Sequence, residues 1–126
     1  MEANSEHIMP RIFTVNDDRI HREQVQVVLS SLFKVTSFAD NNAAYDAMQL
    51  GRPDLVIVDE RMIENGKGCL FDKRKDSKLK DLPFIIVGKR SAEKYMTGVG
   101  AEADSLVLRP FTKNSNIVQV SDALSF

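Results

Sequence analysis

Pro53-Asp54-Leu55-Val56-Ile57-Val58-Asp59 is a short apolar run that ends in a carboxylate. Val56, Ile57 and Val58 are β-branched, Leu55 is apolar, and the run is too short for a typical helix. Such a run reads as a strand buried on both faces, as in a parallel sheet. Asp59 then stands where the strand emerges, and ligands of open α/β sheets collect at the carboxyl ends of strands. Asp59 is therefore the candidate chemical centre, with Glu60, Arg61 and Met62 leading into a loop from Glu60 to Gly68.

Working outward, strand and helix patterns alternate. Met1 to Pro10 reads as a flexible tail and Arg11 to Val15 as a first strand, closed by Asn16-Asp17-Asp18. From Arg19 to about Leu32, Val25, Val28, Leu29 and Leu32 recur at the spacing of a buried helical stripe. Phe33 to Phe38 is a second strand. Asp40 or Asn41 can cap a second helix starting near Asn42, with Ala44, Ala47 and Met48 inward and Gly51 and Pro53 ending it. A third helix is expected over about Cys69 to Lys78, where Asp72 to Lys78 has no apolar residue. Phe84 to Val87 is a fourth strand ending at Gly88. A fourth helix is expected from Ser91, short because Gly98 and Gly100 disfavour it. Ser105 to Leu108 is a fifth strand, and a fifth helix covers about Asn114 to Leu124, with Ile117, Val118, Val120 and Leu124 for packing. Five alternations predict a five-stranded parallel sheet with helices on both faces.

The 126 residues suit one domain, and 43% hydrophobic with 28% charged residues suits a soluble one. A net charge of −1 supplies no general attraction to nucleic acid or to an anionic membrane, so neither is expected as a partner. Cys69 is alone, which leaves no intrachain disulfide framework and no cysteine metal site. A cytoplasmic location is the simplest expectation, since Met1 to Pro10 lacks an apolar signal core. The chain reads equally as a whole small protein or as a domain of a longer one.

Parallel strands put their carboxyl ends on one rim. Asn16-Asp17-Asp18, Asp59, Gly88 and Arg109 all fall at such ends. Two readings are open: the acids cap helices and solvate loops, or they converge on a hard cation held by carboxylates, a carbonyl and water. A cation there would neutralise a phosphate and favour attack by a carboxylate such as Asp59. His7 and His21 have no partner at metal-ligand spacing, and Asp72 to Lys80 reads as a wet helix face.

Ile12 to Asp18 with Arg22, Pro53 to Met62, Leu82 to Val87 and Leu106 to Phe111 together resemble the landmarks of a bacterial response-regulator receiver domain of the CheY-like type. The resemblance covers Arg11 to Phe126 and implies a flavodoxin-like, doubly wound (βα)5 fold with strand order 2-1-3-4-5. It implies a signalling domain, not an enzyme, that takes a phosphoryl group onto Asp59 from a sensor histidine kinase or phosphotransfer protein. It also implies Mg²⁺ bound through Asp17, Asp59 and the backbone carbonyl of Arg61, with Asp18 assisting through water. An output domain or partner protein would use the face of the fourth helix, fifth strand and fifth helix, here Tyr95, Met96, Leu106 and Ile117.

Several positions depart from the family pattern. Asn16 replaces an acid and should weaken Mg²⁺ binding. Gly88 stands where the family has Ser or Thr, whose hydroxyl bonds the phosphoryl group. Leu106 replaces the aromatic switch residue, and Arg109 replaces the lysine with a larger, planar donor. Ile63 replaces a proline. Lys89 and Arg90 either substitute as phosphate contacts or form a solvated basic loop. The departures fall on the readout more than on the acceptor. They leave two functions: a phosphoacceptor with atypical switching, and a phosphorylation-independent interaction module. An enzyme is disfavoured, because a haloacid-dehalogenase-type phosphatase would need a second Asp where Arg61 stands, and a flavodoxin-type site would need a phosphate-cradling loop in place of Asn16-Asp17-Asp18.

Overall fold

A computed structural model describes residues 9–64, 81–95, 105–109 and 113–124. Five parallel strands among them form one sheet in the order β2-β1-β3-β4-β5: β1 Arg11–Val15, β2 Lys34–Phe38, β3 Leu55–Asp59, β4 Phe84–Gly88 and β5 Ser105–Leu108. Helices α1 Arg19–Leu29, α2 Asn41–Leu50, α3 Glu60–Glu64 and α4 Lys113–Leu124 accompany it, with a 3₁₀ helix over Arg90–Tyr95. The order places β1 beside β3, so the rim brings Asn16-Asp17-Asp18 next to Asp59.

The apolar runs explain the order. Every residue of β3 and of β4 is buried, whereas β2 and β5, at the edges, are mixed. Alternation along each strand feeds two cores. Phe13, Val15, Val56, Val58, Phe84 and Ile86 pack with Ala44, Met48, Met62 and Ala92 on one face. Ile12, Leu55, Ile57, Ile85 and Val87 pack with Val25, Leu29, Val107 and Val120 on the other. Asp59 continues the Leu55–Ile57 alternation, which directs it to the side of α1 and α4.

The structure corrects several expectations. The first helix stops at Leu29, not Leu32. The Leu29 carbonyl accepts the N–H groups of both Leu32 and Phe33, a turn that buries Phe33 and leaves Leu32 49% exposed. Val118 is 58% exposed, because α4 meets the sheet through Val120, with Ile117 and Leu124 at the margin. Asp40, not Asn41, is the α2 cap; its carboxylate accepts the Ala43 N–H at 2.7 Å. Asn41 instead opens α2 as a buried residue. The expected loop after Asp59 begins with α3. Met62 seats that turn in the core, and the Asn41 amide donates to the Met62 carbonyl at 3.0 Å. The chain after β4 is tightened into a 3₁₀ helix on buried Ala92. The expected helix from Cys69 to Lys78, the charge run Asp72 to Lys80, most of the tail, Met96 to Gly100 and Pro110-Phe111 lie outside the described residues.

The Asn41 bond joins the α2 cap region to the turn that follows Asp59. Asn41→Ala should lower stability by about 1–3 kcal/mol by stranding a buried carbonyl, whereas Val118→Ala should change it by no more than about 0.5 kcal/mol. Urea unfolding of the two variants checks this; equal losses would show that the Asn41 bond carries no weight.

Candidate functional site

At the end of β1, Asn16 is buried and turned in on its own loop. Its amide oxygen accepts the Asp18 N–H at 2.9 Å, its N–H reaches the Phe38 carbonyl at 3.0 Å, and its carbonyl accepts Arg22 Nη1 at 2.8 Å. Asp18 serves as the N-cap of α1, accepting the N–H groups of Ile20 at 2.9 Å and His21 at 3.3 Å. The bond from His21 is the largest influence holding the Asp18 carboxyl below its ordinary value of 3.8; burial opposes it, and the Ile20 bond and the charges of His21 and Arg61 add to it.

Asp17 faces solvent beside Arg61. Arg61 Nη2 lies 3.3 Å from Asp17 Oδ1, and Arg61 Nη1 lies 3.8 Å from Asp18 Oδ2. Asp59 is only 3% exposed. Its Oδ1 is paired with Arg109 Nη2, and its Oδ2 accepts the Arg61 N–H at 2.9 Å. Arg109 is anchored by its own N–H on the Gly88 carbonyl at 2.9 Å. Two guanidiniums therefore hold three carboxylates: Arg109, just past β5, holds the buried one, and Arg61 from α3 holds the other two.

Asp17, Asp18, Asp59, Arg61, Gly88 and Arg109, all singled out by sequence, thus stand on one rim. Glu60 was missed. It is 5% exposed. Its Oε1 accepts the Lys89 N–H at 3.0 Å, and its Oε2 accepts the Ser91 hydroxyl at 2.7 Å. The signal was a register one: Asp59 pairs with Val87, so Glu60 falls beside Gly88. Lys89 and Arg90 are exposed at the same loop. Leu106, at the switch position, is half-buried against the core shared by α2 and α3. Ile117 is half-buried too. A cavity of about 280 Å³ lies between α1 and the strand ends, with Asn16, Arg22, Asp59 and Arg109 above Val25 and Ile57. A second, also about 280 Å³, lies between Glu60, Arg61, Lys89, Ser91 and Arg109.

A doubly wound parallel sheet with a buried acid at the end of its third strand and a cation facing it from the fifth defines a CheY-like receiver. The response regulator receiver domain family matches residues 12–121, and the chain belongs to it. It is a receiver domain of two-component signalling. The chain is 30% identical over 115 residues to a "probable transcriptional regulator ycf27" of Cyanophora paradoxa, covering 89% of this chain and 45% of that protein, so it spans less than half of that relative's length. The chemotaxis response regulator CheY4 of Vibrio cholerae shares the fold with a TM-score of 0.76 and 23% identity, over 91% of this chain and 98% of that one. NtrX from Brucella abortus does so with a TM-score of 0.79 and 22% identity, over 94% of this chain and 28% of that one.

Among the described residues no group of three or more His, Cys, Asp or Glu side chains is placed to hold a metal. The donor chemistry still suits Mg²⁺: Asp17, Asp59 and the Arg61 carbonyl are hard oxygen donors on one rim. Asn16 and Asp18 are engaged in the β1–α1 turn, and the Arg61 guanidinium rests on Asp17.

The α1 cap carries a pH signature. A carboxyl whose folded-state pKa lies below its ordinary value stabilises fully above the ordinary value, and loses that contribution as pH falls through it toward the folded one. Asp18→Asn keeps a good cap and removes the charge. The variant should therefore lose less stability than the parent between about pH 5 and about pH 3. Parallel pH–stability curves would mean that Asp18 contributes nothing through its charge.

Proposed function

We propose that the domain accepts a phosphoryl group on Asp59 from a histidine kinase or phosphotransfer protein, and that its readout differs from that of its family. The observation that supports this is the setting of Asp59: a buried carboxylate at the end of β3, aimed by one backbone N–H and one guanidinium. An Asp59 oxygen attacks phosphorus, the phosphorus–nitrogen bond to the donor imidazole breaks, and the released nitrogen takes up a proton. The product is an acyl phosphate on Asp59. Arg109, already at Asp59 Oδ1, is placed to balance the added charge, and its planar donor set suits phosphate. Asp17, Asp59 and the Arg61 carbonyl would hold Mg²⁺, which when bound supplies charge neutralisation for the phosphoryl oxygens. Asp18 supports the turn that presents Asp17. In a longer protein, an output domain or partner would use the face around β5 and α4.

A second reading, an interaction module that works without phosphorylation, is favoured by one observation. The loop donors Lys89 N–H and Ser91 hydroxyl are already engaged by Glu60. Beryllofluoride with Mg²⁺ separates the two readings. The phosphoacceptor reading expects amide NMR shifts at Asp17, Asp59 and Arg61, absent in Asp59→Asn; silence at millimolar Mg²⁺ would leave only the interaction module.

Arg61 competes with the metal. Arg61→Ala keeps the backbone N–H on Asp59 but frees Asp17, so Mg²⁺ should bind about 1.4- to 5-fold more tightly, the range that an exposed ion pair contributes. A titration followed at the Asp17 amide measures this, and unchanged or weaker binding would remove Arg61 from the account.

A further inference from the structure

We infer that Glu60 is a tethered anion: it anchors the loop after β4 in the place that a phosphoryl group on Asp59 would otherwise take. Three observations converge on this. First, both carboxylate oxygens of a nearly buried side chain are engaged as acceptors, one by the Lys89 N–H and one by the Ser91 hydroxyl. A buried acid is tolerated where such donors meet it. Second, Gly88 has no room for a side chain. A β-carbon there would lie 2.6 Å from Glu60 Oε1 and 2.8 Å from Glu60 Cβ. A hydroxyl residue at position 88 and the present placement of Glu60 exclude each other, so Gly88 and Glu60 form a matched pair. Third, Glu60, Lys89 and Ser91 line one cavity with Arg109, the residue that pairs with Asp59. Asp59 lines the neighbouring cavity, and Arg109 lines both, so a group added to Asp59 would share Arg109 with the cavity that Glu60 occupies.

The hydroxyl of this loop is that of Ser91, and it donates to the protein's own carboxylate. The loop and the 3₁₀ helix that follows are held without any phosphoryl group. The surface they carry is displayed in the unmodified protein. Glu60 is a positioning residue here: it acts through Lys89 and Ser91, not on the reacting atoms.

The comparison with a phosphoryl group rests on the reading of Asp59 as acceptor; the anchoring itself does not, and the test separates the two. In the ligand-free protein, Glu60→Ala should raise hydrogen exchange at the Lys89 amide by about tenfold or more, relative to core amides of β3. Glu60→Gln, which retains one acceptor oxygen, should fall between. A melting curve of each variant shows that the fold persists. Should Glu60→Ala not fold, the comparison of parent with Glu60→Gln decides alone. An unchanged Lys89 amide overturns the inference. Beryllofluoride with Mg²⁺ is then added to Glu60→Ala. Recovery of Lys89 protection shows that the carboxylate and the phosphoryl analogue serve one role. Analogue bound at Asp59 without that recovery overturns the inference. Absence of any analogue at Asp59 overturns the acceptor reading alone, while the ligand-free exchange still decides the anchoring.

Discussion

The rim of this domain depends on the pair between buried Asp59 and half-buried Arg109. A carboxylate in the apolar end of a parallel sheet is tolerable only with a partner that is equally fixed. Arg109 is fixed by its N–H on the Gly88 carbonyl, which ties β5 to β4 at the same level. The Arg61 N–H completes the coordination of Asp59 from the other side. Removing Arg109 would leave the Asp59 carboxylate without its charged partner beside Ile57 and Val87. The pair thus ties the ends of β3, β4 and β5 together and fixes the direction of the Asp59 carboxylate.

Around that pair, neighbouring side chains fit one another closely. Loss of an acid at Asn16 lowers the negative charge of the rim, and Arg61 balances Asp17, which remains. Glu60 occupies the space that a side chain at Gly88 would need. Leu106 packs, half-buried, against the core shared by α2 and α3. A buried carboxylate stands at the end of β3, while the loop after β4 is organised around Glu60.

Much of the fold was legible in the chain because the central strands are simple. Leu55 to Val58 and Phe84 to Val87 are uniformly apolar, and that pattern has one economical reading. Edge and helix margins were harder. Leu32 and Val118 fit an apolar stripe by spacing, yet tertiary packing assigns the buried places to Phe33 and Val120. Asn41 looked like a cap and proved to be a buried link to Met62, a partner 21 residues away that no local pattern reveals. The site was legible where single residues stand at strand ends. Glu60 was not, because its role depends on the absence of a side chain at Gly88, on a neighbouring strand.

The most direct test of the account is chemical. The protein and its Asp59→Asn variant are treated with acetyl phosphate and Mg²⁺, and the acyl phosphate is trapped by borohydride reduction and located by mass spectrometry. The account predicts modification of the parent at Asp59 and none in the variant. An unmodified parent, or modification elsewhere that persists in Asp59→Asn, would contradict it.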